Sequence, residues 1–191
     1  MEDGRSRLSS STLFARILSI AGHPFVLIPL MVAVATRNWT WTAIVAACTI
    51  LPLFYVTLRN VRRGVWSDHD VSRRDQRGGL YRVVFPLLAI TALVLWLFDA
   101  GAGMMRGFAA AAVMLGIGIF GHRFLKISMH MMAAAYCGVV IAWLHPMTAF
   151  AIVPFVAGIA WSRWKLERHT IAEILAGLGI GAGAGLFAAL G

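Results

Sequence analysis

Residues 162–190 read SRWKLERHTIAEILAGLGIGAGAGLFAAL, a basic stretch that runs directly into an apolar one. Between residues 171 and 190, Glu173 is the one charged side chain. A helix needs roughly 20 apolar residues to cross the hydrocarbon core of a bilayer, which is about 30 Å thick. The segment 171–190 is therefore predicted to be a transmembrane helix whose polar N-terminal end lies at the membrane surface.

Apolar runs of similar length recur through the rest of the chain. Six further candidate spans precede this helix, at 17–36, 39–58, 83–99, 104–121, 129–145 and 146–161. Hydrophobic residues make up 60% of the chain and charged residues 13%, whereas a soluble domain has about half and a quarter. The runs show no period of two, which argues against strands. The sequence predicts an all-α, polytopic transmembrane helical bundle over residues 17–191, after a basic segment at 1–16. It has seven spans, or six because two of the runs are short.

Short turns between the spans force the chain to alternate between the two sides of the membrane. The N-terminus and the segments 59–82, 122–128 and 162–170 then share one side, called here the polar side. Fifteen of the 17 basic residues lie there: Arg5, Arg7, Arg16, Arg59, Arg62, Arg63, Arg73, Arg74, Arg77, Arg82, Arg123, Lys126, Arg163, Lys165 and Arg168. By the positive-inside rule this side faces the cytoplasm, in an inner or plasma membrane. The net charge of +9 fits this bias and anionic lipid head groups, so no nucleic-acid partner is predicted.

The polar side carries three clusters of reactive side chains, and the C-terminal cluster is the most informative. It contains Arg163, His169 and Glu173. If the last helix begins near His169, residues four apart share one face, and Glu173 can accept a hydrogen bond from one ring nitrogen. A histidine oriented in this way can act as a nucleophile or base, and Arg163 supplies a charged fork for phosphate. The alternative is an interfacial loop of basic side chains.

The central cluster consists of Lys126, Ser128 and His130, where the chain enters the fifth span. Ser128 can cap the helix, and the free N–H groups of a helix start favour a bound anion. His130 is placed to donate a proton. A capped helix with a single boundary histidine is the alternative interpretation.

The first cluster, residues 67–78, reads SDHDVSRRDQRG and mixes both signs of charge. Its residues fit a solvated loop, then a phosphate clamp of Arg73, Arg74 and Arg77, and last a divalent metal site of Asp68, His69 and Asp70. These three interpretations remain open on the residues alone.

Taken in order, the three clusters resemble the signature of the type 2 phosphatidic acid phosphatase (PAP2) superfamily. Its pattern is K-x6-R-P, then P-S-G-H, then S-R-x5-H-x3-D. The third motif matches as Ser162, Arg163, His169 and Glu173, with Glu in place of Asp, and the resemblance covers roughly residues 68 to 173.

The first two motifs match less completely. Ser128 and His130 fit the second motif, where Ile127 and Met129 replace Pro and Gly. Arg77 fits the first motif, but it is followed by Gly78, and the position of the family's lysine holds Asp70. Either the lysine's role is missing, or Lys126 or Arg74 covers it.

The resemblance implies a PAP2-like core and a metal-independent hydrolase that needs no cofactor. His169 would form a phosphohistidine, Glu173 would hold its ring, and His130 would protonate the departing lipid alkoxide. The phosphate would be bound by Arg163, Arg77, Lys126, Ser128 and Arg74. The implied substrate is a lipid phosphate of the phosphatidate, phosphatidylglycerophosphate or polyprenyl phosphate type. A lipid phosphotransferase and a non-catalytic transporter or lipid-binding protein are the alternatives.

Two further features concern packing. Gly177, Gly181 and Gly185 recur every four residues in the last span, which is typical of close helix contact within the bundle or across a homodimer. His23, directly before Pro24 in the first span, marks a local break and is expected to be a capped or bundle-facing histidine.

Overall fold

The computed structural model describes residues 9–71, 73–121 and 124–190, and these residues form helices and no strand. The helices are α1 (Ser10–Ala21), α2 (Pro24–Thr36), α3 (Trp39–Val45), α4 (Leu51–Arg62), α5 (Arg77–Leu97), α6 (Ala102–Gly121), α7 (Met129–Leu144), α8 (Ala149–Lys165) and α9 (Ile171–Leu190). A π-helical turn, Ala46–Ile50, joins α3 to α4, and 3-10 turns precede α5 and α8. The predicted all-α helical bundle is confirmed.

Five helices within the described residues are long and apolar enough to cross a membrane. They are Trp39–Arg62, Arg74–Leu97, Ala102–Gly121, Pro146–Lys165 and Ile171–Leu190. The pair α1 and α2 adds a sixth if it is counted as one bent span, and α7 is a shorter apolar helix. Large apolar side chains cover the outside of the bundle; Phe120, Phe124 and Phe150 are 76%, 87% and 80% exposed. Such a surface is typical of a membrane protein.

The first span is not the single helix predicted for residues 17–36. The chain bends by 49° between α1 and α2, because Pro24 cannot continue a helix that comes before it. The His23 side chain caps the new helix, and its Nδ1 accepts a hydrogen bond from the Phe25 N–H at 3.2 Å. The helix also begins earlier than residue 17, at Ser10, where Ser9 is the N-cap.

Helix α7 is the centre of the bundle, and every residue from 130 to 138 is buried. Helix α9 lies along it through its glycines: a Cβ at Gly177 would stand 2.7 Å from the Ser128 carbonyl oxygen, and one at Gly185 2.8 Å from Val139 Cβ. This glycine face is therefore used inside the chain, and a homodimer through the last helix would need another of its faces. Gly179 and Gly183 have open space beside them.

An apolar cavity of about 410 Å³ lies between α7 and the helices α2 to α6. His23, Asp70 and His130 line it at the polar side, and Arg106 and Trp143 line it at the opposite end. The distance along α7 from residue 130 to residue 143 is roughly 20 Å at about 1.5 Å per residue. The cavity thus follows most of the length of the bundle.

Candidate functional site

His169 lies in the loop between α8 and α9 and is 8% exposed. Its Nδ1 is 3.0 Å from Glu173 Oε2 and 3.1 Å from the Lys126 carbonyl oxygen. A carbonyl oxygen can only accept a hydrogen bond, so Nδ1 carries the proton. In the neutral ring the lone pair is therefore on Nε2, which makes no hydrogen bond within the described residues. Nε2 is the atom that can attack.

A capping box at the start of α9 explains why Glu173 is in place. The Thr170 N–H donates to Glu173 Oε2 at 3.1 Å, and the Glu173 N–H donates to Thr170 Oγ1 at 3.3 Å. This reciprocal pair satisfies two of the free N–H groups at the helix start. The same carboxylate oxygen also accepts from His169, so the local fold of residues 169–173 positions the ring.

The electrostatic surroundings keep His169 neutral. Burial of the ring and the positive charge of Arg163 lower the pKa of His169 to about 4, although the hydrogen bond to Glu173 raises it in part. At pH 7 nearly all of the protein then has an unprotonated Nε2, which a nucleophile requires.

Arg163 sits near the end of α8, is 2% exposed, and is already engaged inside the protein. Its Nη1 donates to Asp70 Oδ2 at 2.8 Å and to Ser19 Oγ at 2.7 Å. Its Nε is buried without a hydrogen-bond partner among the described residues. The fork expected to hold phosphate is thus partly occupied by Asp70, and the rest of the guanidinium is left for a ligand.

Asp70 is the residue that stands where the resembled motif has lysine, and it lies in the middle of the site. Its Oδ1 is 3.7 Å from His23 Nε2 and 3.9 Å from His130 Nε2. Burial alone would raise the pKa of Asp70, but protonated His130 and Arg163 outweigh this effect and hold it at about 2. Asp70 is therefore an anion at any physiological pH.

His130 follows the N-cap residue Ser128, whose Oγ accepts a hydrogen bond from the Met131 N–H at 3.5 Å. It is 4% exposed, and its Nε2 has no hydrogen-bond partner among the described residues. The ring lies 4.9 Å from that of His23, at nearly a right angle. The proton donor expected from the sequence thus faces Asp70, His23 and the apolar cavity.

The remaining phosphate-binding candidates divide into two groups. Arg77 is buried at the start of α5, and its Nη1 donates to the Ile127 carbonyl oxygen at 2.8 Å. Lys126 lines an open cleft together with His169 and Glu173, and partial burial lowers the pKa of Lys126. Arg74 lies on the exposed 3-10 turn before α5, and it lines neither the cleft nor the cavity.

The metal site considered for Asp68, His69 and Asp70 does not form as a group of three. One Asp68 oxygen accepts from the Asp70 N–H at 2.9 Å, and the other lies 3.6 Å from Arg168 Nη1. Asp70 instead meets His23 and His130, and the three ligand atoms lie within 4.8 Å of one another. The role of His23 was missed because its partners are far away in the sequence; the break at Pro24 was the available signal.

The site therefore has two compartments. The open cleft contains His169, Glu173 and Lys126, and the apolar cavity contains His130, Asp70 and His23. Arg163 connects them, because its charge acts on both His169 and Asp70. No family model, curated protein or solved structure matches this chain. The chemistry available to the site is an oriented imidazole nucleophile beside buried cations, next to a space for an apolar group.

Proposed function

We propose that this chain is a membrane-integral lipid phosphate phosphatase that acts through a phosphohistidine at His169. One observation carries the proposal: two acceptors, Glu173 and the Lys126 carbonyl, hold the proton on Nδ1 and leave the Nε2 lone pair for attack. The resemblance to the PAP2 superfamily motifs supports the same assignment.

In the proposed reaction, Nε2 of His169 attacks phosphorus and the bond from phosphorus to the lipid oxygen breaks. His130 gives its proton to the departing alkoxide, a step typically worth about 10²–10⁴ in rate. Water then attacks the phosphohistidine, inorganic phosphate leaves, and the His169 lone pair is restored. Glu173 stabilises the positive ring of the intermediate through its hydrogen bond to Nδ1.

The phosphate is held in this scheme by positive groups around the two compartments. Arg163, Arg77 and Lys126 supply the charge, with the positive end of α7 at Ser128 behind them. Asp70 works against them, because a carboxylate repels a phosphate dianion. Arg74, on its exposed turn, is the candidate with the weakest support.

The apolar cavity supplies a place for the lipid. Its wall includes His130, so a lipid tail in the cavity has its oxygen next to the proposed proton donor. The open cleft on the His169 side gives water a route to the phosphohistidine. A phosphatidate, phosphatidylglycerophosphate or polyprenyl phosphate has the required form, with an anionic group at the end of an apolar chain.

The active site is proposed to face the cytoplasm, because the basic side chains concentrate on the polar side. A cysteine substituted for the exposed Ser67 tests this orientation in intact cells. An impermeant thiol reagent should label it only after the cells are opened. Strong labelling from outside would overturn the assignment.

The function itself is tested with purified protein and a panel of lipid phosphates in mixed micelles. Wild-type protein should release phosphate from one class of lipid, His169→Ala should release none, and His145→Ala, altered far from both compartments, should match wild type. Vanadate should inhibit and EDTA should not. A His169→Ala protein with normal turnover would refute the nucleophile. Transfer to an added alcohol instead of water would favour the phosphotransferase, and no turnover of any lipid phosphate would favour the transporter.

A further inference from the structure

We infer that His23, Asp70 and His130 form a binding site for one divalent transition-metal ion, such as Zn²⁺, at the polar end of the apolar cavity. The inference goes beyond the proposed phosphatase activity and does not depend on it. Two imidazoles and one carboxylate are a common ligand set for such ions. The three residues come from the break between α1 and α2, the loop before α5, and the first turn of α7.

The spacing of the ligand atoms suits a metal of this size. Asp70 Oδ1 lies 3.7 Å from His23 Nε2 and 3.9 Å from His130 Nε2, and all three atoms lie within 4.8 Å of one another. In a tetrahedral zinc site with bonds of about 2.0–2.1 Å, neighbouring ligand atoms are about 3.4 Å apart. Small side-chain rotations are enough to close the site around an ion.

The unpartnered nitrogen of His130 is the independent observation that points to a ligand. His130 is 4% exposed, and its Nε2 is buried with no hydrogen-bond partner among the described residues. Buried polar atoms are normally satisfied, so such an atom in a polar cluster needs an explanation. A metal ion bound to the Nε2 lone pair provides one.

The groups around the three ligands also favour a bound ion. Arg163 donates to Asp70 Oδ2, which fixes the carboxylate and leaves Oδ1 for the metal; such outer hydrogen bonds are typical of metal sites. His23 must change its hydrogen bonding, because its Nδ1 now accepts from the Phe25 N–H. A neutral ring that binds metal through Nε2 carries its proton on Nδ1, so this one cap is lost on binding.

The site has a route for the ion and room for a further ligand. The Asp70 and His23 side chains are 22% and 19% exposed, so an ion can reach them from the polar side. All three residues line the cavity, where a water or a substrate oxygen can take the fourth position. A metal and a proton cannot share Nε2 of His130, so the metal-bound protein lacks the proposed proton donor.

The experiment uses purified wild-type chain in detergent, stripped with a chelator and then dialysed against Zn²⁺, with metal content measured by mass spectrometry. One Zn²⁺ per chain is expected, and Mg²⁺, which prefers oxygen ligands, should not compete. Asp70→Asn and His23→Gln should each weaken Zn²⁺ binding at least ten-fold, while His145→Ala should not change it.

X-ray absorption at the zinc edge of the wild-type protein is the second measurement, and it does not depend on variants that fold. It should show two imidazole ligands. The inference is overturned if no Zn²⁺ binds more tightly than Mg²⁺, or if both variants bind as wild type does. It is also overturned if Zn²⁺ binding survives in both variants but is lost in His169→Ala, since the ion would then lie in the open cleft. Loss of phosphatase activity without loss of Zn²⁺ binding would refute only the proposed function.

Discussion

The substitution Asp70→Asn keeps the shape of the side chain and removes a charge that faces the buried Arg163 guanidinium at 2.8 Å. The amide oxygen can still accept the hydrogen bond, so the change tests the charge and not the contact. The Asp70 pKa of about 2, against an ordinary value of 3.8, corresponds to about 2.5 kcal/mol, since one pKa unit is worth 1.36 kcal/mol. Breaking a buried ion pair typically costs about 3–5 kcal/mol, and the retained hydrogen bond explains a value at or below the lower end.

The expected result is a lower thermal stability of the variant at pH 7. For a chain of this size about 1 kcal/mol lowers Tm by roughly 2–4 °C, so Asp70→Asn should lose about 5–10 °C. Because the pKa of Asp70 is lowered in the folded state, its contribution is complete above pH 3.8 and is lost as the pH falls through about 2. The difference between the two proteins should therefore narrow in strong acid.

The assay is thermal unfolding in detergent, followed by size-exclusion chromatography. Asp75→Asn is the matched control: Asp75 pairs with Arg73 at 3.0 Å, but both side chains are 63% exposed, and exposed pairs contribute little. Its Tm should equal that of wild type. If Asp70→Asn unfolds within about 1 °C of Asp75→Asn, the Asp70–Arg163 pair does not stabilise the fold.

Three further predictions concern the nucleophile and the packing of the bundle. Glu173→Gln keeps the capping box but loses the charge on the hydrogen bond to His169, so turnover should fall by about 10- to 100-fold, as for a loss of roughly 1.5–3 kcal/mol; turnover within twofold of wild type would contradict it. With its pKa lowered to about 4, His169 should show by ¹⁵N NMR a neutral ring protonated at Nδ1 down to about pH 5, and titration near pH 6.5 would refute the assigned surroundings. Gly181→Ala places a Cβ against the Met132 carbonyl and should cost about 1–3 kcal/mol, whereas Gly183→Ala, which faces open space, should leave Tm unchanged.

Features that depend on short stretches of chain could be predicted from the sequence. The apolar runs gave the helices because every backbone polar group in a bilayer must be satisfied within its own segment. The spacing of four between His169 and Glu173 predicted their contact, since that distance is one helical turn. The bend at residues 22–24 was indicated by Pro24, although not its angle.

Features that depend on which helices pack together could not be predicted. Asp70 meets Arg163, 93 residues away, and nothing in the loop sequence distinguishes it from Asp68. His23 meets His130 because α2 and α7 run side by side from the polar side. Spacing in the chain carries no information about such neighbours, so the cluster at the end of the cavity emerges only in three dimensions.

Asp70 links the two proposals for this chain. Where the resembled motif has a lysine, this site has a carboxylate that neutralises part of Arg163, so the buried cations available to a phosphate are weaker here. The same carboxylate stabilises the fold around Arg163 and gives the two histidines an anionic partner. A divalent ion bound to Asp70 would turn its single negative charge into a net positive one, but it would also occupy Nε2 of His130. Phosphate binding and proton donation thus place opposite demands on one cluster, and metal occupancy decides which of them the site can meet.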